Sequence, residues 1–329
     1  GWIREQDALN GEKTGRIWLE GLAGSALSFL VAARFLQSER HQILVAKDKE
    51  SAAYLNNDLE NILSPNSSLF FPETYRRAYD QPDVDNANVL LRAEALNRIR
   101  EKRPLCLVTY PEAICEKVVS RTQLEARSHR IAIGDRLDMD FLFDLLVSYD
   151  FEREDLVYEP GQFALRGGLM DVFSFAHNQP FRLEFDGDSI ADIRFFDPES
   201  QLSYSSVNEV VLLPSIEQKT GVEERKTLLE FIGNQAEVWI YDARDAAVRM
   251  DKKWLEAQTI YQELNSPVKR ASPEELVWSG HAFTAQLLSQ AYIQFEAPGE
   301  PSDVRCRLQA KSQPVFNKKY NLFQEHLAQ

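Results

Sequence analysis

The feature of this 329-residue sequence that most constrains its fold is a short apolar segment that runs through a glycine-containing loop into a helix-forming segment. The apolar segment covers residues 16–20 and the loop covers residues 21–25, while residues 26–36 are rich in Ala, Leu and Phe. A strand, a tight loop and a helix in this order are typical of the opening unit of a parallel α/β sheet. Further strand and helix signals alternate as far as residue 116, so we predict an α/β fold.

The loop keeps only part of the frame of a nucleotide-binding loop. That frame is GxxxxGK followed by Ser or Thr, in which backbone N–H groups and the lysine bind phosphates and the hydroxyl holds magnesium. Gly21 and Ser28 keep the outer positions, Gly24 lies between them, Ala26 replaces the second glycine and Leu27 replaces the lysine. Because a leucine cannot offset phosphate charge, the sequence predicts a degenerate P-loop without a nucleotide cofactor. An ordinary strand-to-helix turn is the alternative.

The second half of a nucleotide site is altered as well. An ATPase carries acidic residues at the end of an apolar strand, where they hold magnesium and position water. Residues 238–241 form such a strand and Asp242 follows it, but Ala243 stands in the position of a second acid. We therefore expect no catalytic residues in this chain. The five histidines lack metal-ligand spacing, so we expect no metal site and interpret them as surface or loop residues.

The pattern of secondary structure changes between residues 117 and 215. Strands with period-two alternation follow one another there, separated by turn sequences such as Gly167-Gly168. The sequence thus predicts a P-loop NTPase-like α/β domain split into residues 1–116 and 216–329, with an α+β domain at 117–215 inserted between its halves. Helices are predicted at 26–36, 48–63, 89–103, 138–149, 225–232 and 252–264, and alternating strands at 162–166, 169–173, 181–185, 190–196 and 209–213.

Charge and composition argue against several kinds of partner. The formal net charge of −14 repels phosphate backbones, which disfavours nucleic acid as the main partner. No apolar run approaches the roughly 20 residues that span a bilayer, so no membrane association is expected. The three cysteines form no CxxC pair, and Cys106 lies in an apolar run. This pattern favours buried thiols and a reducing, cytoplasmic location.

Three stretches of the sequence carry a family resemblance. Residues 159–173 (EPGQFALRGGLMDVF), 181–188 (FRLEFDGD) and 193–201 (IRFFDPESQ) closely resemble the UvrB-like module of bacterial transcription-repair coupling factors. Residues 149–153 and 313–317 match as well, so the resemblance covers essentially the whole chain. It implies an inserted domain similar to the second domain of UvrB. It also implies a full-length ATP-dependent DNA translocase that contacts RNA polymerase and DNA through domains absent from this sequence.

The related UvrB proteins differ from this chain in two respects. UvrB has an intact nucleotide loop and a long aromatic-rich hairpin that threads DNA. Here Tyr75 and Tyr79 lie in a short stretch that leads quickly to the helix predicted at residue 89, which leaves no room for such a hairpin. We interpret both tyrosines as packing residues.

The resemblance implies that the inserted domain binds UvrA, the damage-recognition ATPase. Arg166 and Arg182 match the two arginines that the family uses for this contact. Strand alternation directs Arg166, Arg182 and Glu184 away from the core, where an arginine can bind a carboxylate through two donors. Alternation alone favours instead a cross-strand ion pair of Arg182 with a neighbouring acid. Asp186 stands where the family usually has an aromatic residue, so we expect the contact to rely more on charge.

Taken together, these features predict a non-catalytic binding module. Its expected role is to recruit UvrA to stalled transcription complexes for nucleotide excision repair. The resemblance also implies that the rest of the full-length protein masks this surface until activation. A nucleotide-binding enzyme with an unusual loop and a DNA-binding scaffold are the alternatives. Asp171 has no nucleophile or base beside it in the sequence, so it is interpreted as a structural acid.

Overall fold

The computed structural model describes residues 16–74, 86–100, 103–215, 224–233, 236–263, 271–298 and 304–310. Tyr75, Tyr79 and the matching stretch at 313–317 lie outside these ranges. The strands in chain order are β1 Arg16–Glu20, β2 His41–Val45, β3 Ser68–Phe70, β4 Cys106–Thr109, β5 Val118–Val119, β6 His129–Ala132, β7 Glu152–Arg153, β8 Gln162–Arg166, β9 Leu169–Val172, β10 Phe181–Asp186, β11 Ser189–Phe196, β12 Ser203–Ser206, β13 Glu209–Leu212, β14 Arg225–Lys226, β15 Ala236–Ile240, β16 Tyr292–Phe295 and β17 Val304–Arg307. The helices are α1 Ala26–Gln37, α2 Lys49–Ile62, α3 Asn86–Arg100, α4 Pro111–Ile114, α5 Arg121–Arg127, α6 Met139–Ser148, α7 Leu228–Ile232, α8 Ala243–Glu263, α9 Pro273–Leu276 and α10 Gly280–Leu288.

A wholly parallel sheet of seven strands runs in the order β17-β1-β16-β15-β2-β4-β3. Parallel sheets are covered on both faces, so their inner strands read as continuous apolar runs. Accordingly, β2, β4 and β16 are buried along their whole length. Leu44 and Trp239 belong to one hydrophobic cluster with residues of α1 and α2, while Ile43 and Val238 belong to another with residues of α8 and α10. The predicted α/β architecture is therefore confirmed.

A second sheet has six strands in the order β12-β11-β10-β9-β8-β7, antiparallel apart from the β7–β8 pair. Alternation buries one of its faces, where Phe163, Leu183 and Ile193 share a cluster with Leu142 and Leu146 of α6. The strands predicted from alternation include β8 to β11 of this sheet. The strand predicted at 209–213 is β13, which pairs with β6 outside the sheet.

The predicted helix at 225–232 is wrong in its first part. Arg225 and Lys226 form β14 and pair with β5. The helix α7 begins only after Thr227, because the Thr227 hydroxyl accepts the N–H of Glu230 at 3.2 Å and the Glu230 carboxylate accepts the N–H of Thr227 at 2.8 Å. This capping box fixes the start of the helix.

Two other helices begin earlier than predicted. Helix α8 starts at Ala243 rather than residue 252, because Oδ1 of Asp242 accepts the N–H groups of Arg244 and Asp245 at 2.9 and 3.1 Å and caps its first turn. Helix α3 covers Asn86–Arg100, so it begins three residues before the predicted range 89–103, and Arg103 is not helical. The residue that precedes Pro104 is sterically disfavoured in a helix.

The histidines interpreted as surface or loop residues include one that is buried in a strand and one that is half-buried in a loop. His41 in β2 is 4% exposed. His177 packs against Phe181 and Phe195, with ring centroids 5.7 and 5.4 Å apart, and its Nε2 accepts the N–H of Val211 at 2.9 Å. Burial lowers the pKa of His177 to about 4. The interpretation as a surface or loop residue is therefore wrong for His41, which is buried in a strand, whereas His177 lies in the loop between β9 and β10.

His177 gives an expected pH dependence of stability. Between about pH 6.5 and pH 4 the unfolded chain binds a proton at this imidazole and the folded chain does not, so the free energy of unfolding should fall as the pH falls through this window. The two pKa values imply a loss of about 3 kcal/mol at its acidic end. The measurement is urea unfolding of the wild type and His177→Gln at neutral and mildly acid pH. Glutamine keeps an acceptor but does not titrate, and equal acid losses in both proteins would contradict the assignment.

Candidate docking site and nucleotide loop

The face of the six-stranded sheet that does not pack on α6 carries charged side chains on neighbouring strands. Asp171 on β9 lies opposite Ala164 of β8 and Arg182 of β10. Arg182 in turn lies opposite Arg194 of β11, and Arg166 is the last residue of β8. Because every second residue of a strand points to the same side of a sheet, and paired residues on neighbouring strands do so too, these side chains share one face. We call this surface the outer face.

Asp171 is the centre of the outer face. Its side chain is 1% exposed and accepts two hydrogen bonds from Arg182, from Nε to Oδ1 at 2.6 Å and from Nη2 to Oδ2 at 2.9 Å. Its Oδ2 also accepts a hydrogen bond from Nη2 of Arg166. The hydrogen bonds from Arg182 to Asp171 raise the pKa of this guanidinium above its usual value. The structure thus brings the two predicted arginines together at one carboxylate, and the cross-strand ion pair considered as the alternative is present.

The two arginines differ in exposure. The Arg182 side chain is 14% exposed, lies 4.8 Å over the ring of Phe196 and directs Nη1 toward the Ser203 hydroxyl at 3.4 Å. The Arg166 side chain is 40% exposed. A guanidinium stacked on an aromatic ring and bonded at both ends is held in one orientation. Arg182 is therefore the more rigid member of the pair.

The other predicted residues of this surface lie farther along the strands. Glu184 accepts a hydrogen bond from Nη2 of Arg194 at 2.5 Å, and Nε of Arg194 lies 3.0 Å from Asp192. Asp186 is exposed at the end of β10, where its carbonyl accepts a hydrogen bond from the Ser189 hydroxyl at 2.9 Å. Sequence reasoning missed Arg194, although alternation along the predicted strand 190–196 could have placed it on the same face.

The loop after β1 uses its residues for packing and local hydrogen bonds. Leu27 is 9% exposed and belongs to the core cluster that lies between the parallel sheet and α1, and Ser28 donates a hydrogen bond to Asp58 of α2 at 3.0 Å. Gly24 has a φ of 55° and open space around its Cα. The N–H of Ala26 bonds to the carbonyl of Ala23 at 3.2 Å.

The backbone around Gly21 leaves no room for a side chain. Its φ is 76°, and a Cβ built on it would lie 2.1 Å from the carbonyl oxygen of Leu308. The strand β17 pairs with β1 just before this point, and the N–H of Leu308 bonds to the carbonyl of Glu20 at 2.8 Å. The chain that follows β17 therefore packs directly against the start of the loop, as the N–H of Ala310 also does through its 3.2 Å bond to the Gly21 carbonyl.

A buried ionic cluster that no local sequence pattern indicates lies between α3, α4 and α8. The ammonium of Lys253 lies 2.9 Å from both Glu73 and Glu116. Glu116 is 1% exposed and also accepts the hydroxyl and N–H of Thr74 at 2.7 and 2.9 Å. Arg92, fully buried, lies 3.6 Å from Glu116. Burial disfavours ionisation of Glu116, but Lys253 and Arg92 hold the pKa of its carboxyl below the usual value.

The described residues contain neither a candidate membrane-spanning helix nor a candidate metal site. Among their helices, none combines the length and the hydrophobicity that a bilayer crossing requires. Within the same residues, no three His, Cys, Asp or Glu side chains form a group that could hold a metal ion. Cys106 is buried, and burial raises the pKa of its thiol to about 12, which keeps it protonated and unreactive.

Known proteins are similar to the segment that contains the outer face and to a larger part of the chain. A family model described as the UvrB interaction domain matches residues 130–217, which contain the whole outer face. A transcription-repair-coupling factor of Myxococcus xanthus is 35% identical over 209 residues, which are 61% of this chain and 17% of that protein. The corresponding protein of Bacillus subtilis is 26% identical over 217 residues, 65% of this chain and 18% of its own length.

The UvrB proteins are related as well, at lower identity. The UvrABC system protein B of Thermotoga maritima is 23% identical over 227 residues, which are 65% of this chain and 34% of that protein. This chain thus spans less than a fifth of the coupling factors and about a third of that UvrB protein. Residues 130–217 are therefore similar to the UvrB interaction domain, and most of the chain is similar to part of the transcription-repair coupling factors.

Proposed function

We propose that this chain is a non-catalytic docking module that binds UvrA through the outer face of its six-stranded sheet. The observation that carries the proposal is the partly exposed guanidinium of Arg166, which shares the buried carboxylate of Asp171 with Arg182 inside the matched domain. A rigidly mounted arginine is a recurrent anchor for a partner carboxylate. Glu184 and Asp186 extend the same surface along β10.

In the whole protein, this docking step recruits UvrA to stalled transcription complexes for nucleotide excision repair in the cytoplasm. RNA polymerase and DNA are contacted by parts of that protein outside this sequence. The inserted domain of this proposal covers residues 117–215, and residues 1–116 and 216–329 form a degenerate P-loop domain that acts as its scaffold. Support for the loss of nucleotide binding comes from the burial of Leu27 and the bond of Ser28 to Asp58, because a phosphate site needs a cation and a free hydroxyl there.

Arg166→Ala and Arg182→Ala are expected to weaken the capture of UvrA. Truncation of an anchor residue at an interface costs about 2 kcal/mol, which is roughly a 30-fold loss of affinity. The measurement is the affinity of purified UvrA for the immobilised wild-type chain and for each variant. Arg130→Ala is the matched control, since Arg130 is an exposed, ion-paired arginine on β6 of the same domain but outside the outer face. If both outer-face variants bind UvrA as tightly as the control does, the site assignment is wrong.

A further inference from the structure

We propose that Asp171 is a positioning residue that gives the two arginines different roles. It fixes Arg182 as part of the sheet surface and mounts Arg166 so that one edge of this guanidinium meets a carboxylate of the partner. This inference deepens the docking function proposed above and rests on it. It predicts that Arg182 acts on the partner only indirectly.

The donors of Arg182 are already occupied in the free protein. Nε and Nη2 form two bonds to the Asp171 carboxylate at 2.6 and 2.9 Å, the paired geometry in which arginine binds carboxylates most strongly. Nη1 faces Ser203 at 3.4 Å, and the guanidinium plane lies over Phe196. A partner carboxylate could bind Arg182 in the same manner only by displacing Asp171, which is 1% exposed. Arg182 therefore stabilises the sheet surface, and Asp171 holds its guanidinium in place.

Arg166 is placed differently around the same carboxylate. Among the described residues, its hydrogen bonding is confined to Nη2, which donates to Oδ2 of Asp171, and its side chain is 40% exposed. A guanidinium has five donors. The bond to Asp171 therefore fixes the direction of the side chain while leaving most of its donors for a ligand. Holding a long side chain in place before binding removes part of the entropy that association would otherwise cost.

The charges on the outer face also single out Arg166. One carboxylate, Asp171, serves two guanidinium groups, so this cluster keeps a net positive charge. The neighbouring guanidinium of Arg194 is offset by Glu184 at 2.5 Å and Asp192 at 3.0 Å. The partner chemistry that fits the exposed end of the Asp171 cluster is an aspartate or glutamate side chain on a protein surface.

Asp171→Asn tests the inference in the intact chain. The variant keeps the size of the side chain and loses its charge, so Arg166 must be ordered on binding. We expect UvrA affinity to fall at least about fivefold, the cost of ordering one long side chain. In the Arg166→Ala background the same change should alter affinity by less than about twofold, because Asp171 acts through Arg166. Additive losses in the double variant would overturn the proposal.

An NMR measurement on the free chain tests the contact between Asp171 and Arg182 without UvrA. In the free wild-type chain the Nε–H signal of Arg182 should be resolved and slow to exchange, and it should lose both properties in Asp171→Asn. Glu209→Gln is the control, because Glu209 pairs with Arg130 outside the outer face; it should leave that signal and UvrA affinity unchanged. An Arg182 signal unaffected by Asp171→Asn would overturn the assigned geometry.

A second variant tests the role of Asp171 if Asp171→Asn alone fails to fold. Its outcomes also distinguish this inference from the proposed docking function. Asp171→Asn/Arg182→Gln removes both members of the buried pair and leaves neutral polar groups; it should also bind UvrA at least about fivefold more weakly. Wild-type affinity in this variant would overturn the role of Asp171 and leave the docking function intact. Absence of UvrA binding by the wild type would overturn the docking function and with it this inference, whatever the Arg182 signal shows.

Discussion

Lys253→Met is expected to lower the free energy of unfolding by about 3–5 kcal/mol, because it removes one partner of a buried ion pair. The ammonium lies 2.9 Å from Glu116 and from Glu73, and Glu116 is 1% exposed. Burial opposes the charge on Lys253, but Glu116 and Glu73 raise its pKa well above the usual value. The lysine is therefore charged in the folded protein, and its removal leaves the two carboxylates of Glu116 and Glu73 with the guanidinium of Arg92, so the buried cluster carries an excess negative charge. Denaturant unfolding of the wild type and the variant measures the loss.

The neighbouring lysine supplies a matched control. Lys252 is exposed on the same helix α8, so Lys252→Met should change the free energy of unfolding by less than about 0.5 kcal/mol. Glu73→Gln in the Lys253→Met background should recover part of the loss, because it removes the excess negative charge and keeps the buried Arg92–Glu116 pair. A Lys253→Met protein as stable as the Lys252→Met protein would show that the cluster contributes little to the fold.

The parallel sheet could be predicted from the sequence because its signals are local. Residues 43–46 and 105–108 are apolar runs bounded by polar residues or proline, and they overlap β2 and β4. The strand β12 could not be predicted, since its residues Ser203–Ser206 are all exposed and show no apolar alternation. The start of α8 was missed because its first turns are charged, although the cap at Asp242 was present in the sequence as a helix signal.

The sequence predicts the direction in which the side chains of the candidate site point. It does not predict which of these side chains pair with one another. Alternation alone shows that Arg166 and Arg182 point away from the core. It does not show that Asp171 lies between them, because the register of β9 against β8 and β10 depends on the turns and on packing of the whole sheet. The cluster around Lys253 was beyond prediction for a stronger reason. Glu73, Arg92 and Glu116 are distant from Lys253 in sequence, and only the packing of three helices brings them together.

Introducing the lysine of a nucleotide-binding loop at position 27 is expected to destabilise this protein without enabling it to bind ATP. Leu27→Lys should lower the free energy of unfolding by about 3 kcal/mol, the usual loss when a buried leucine is removed. Leu27 is 9% exposed and belongs to the core cluster with Val31 and Leu44, so a lysine there must either bury its charge or leave the cluster unfilled. The measurements are denaturant unfolding and the titration of a fluorescent ATP analogue with magnesium.

The control for this experiment is Phe29→Lys on the same helix α1. Phe29 is 63% exposed, so the same charge there should cost less than about 0.5 kcal/mol. Ala26→Gly/Leu27→Lys restores the loop sequence more fully, but Ser28 still donates to Asp58, whose carboxylate lies close to where a phosphate would need neutral or positive groups. Magnesium-dependent ATP binding by either loop variant would mean that the nucleotide site was lost only through its side chains. Its absence in both would mean that restoring these side chains is not enough to form a nucleotide site on this backbone.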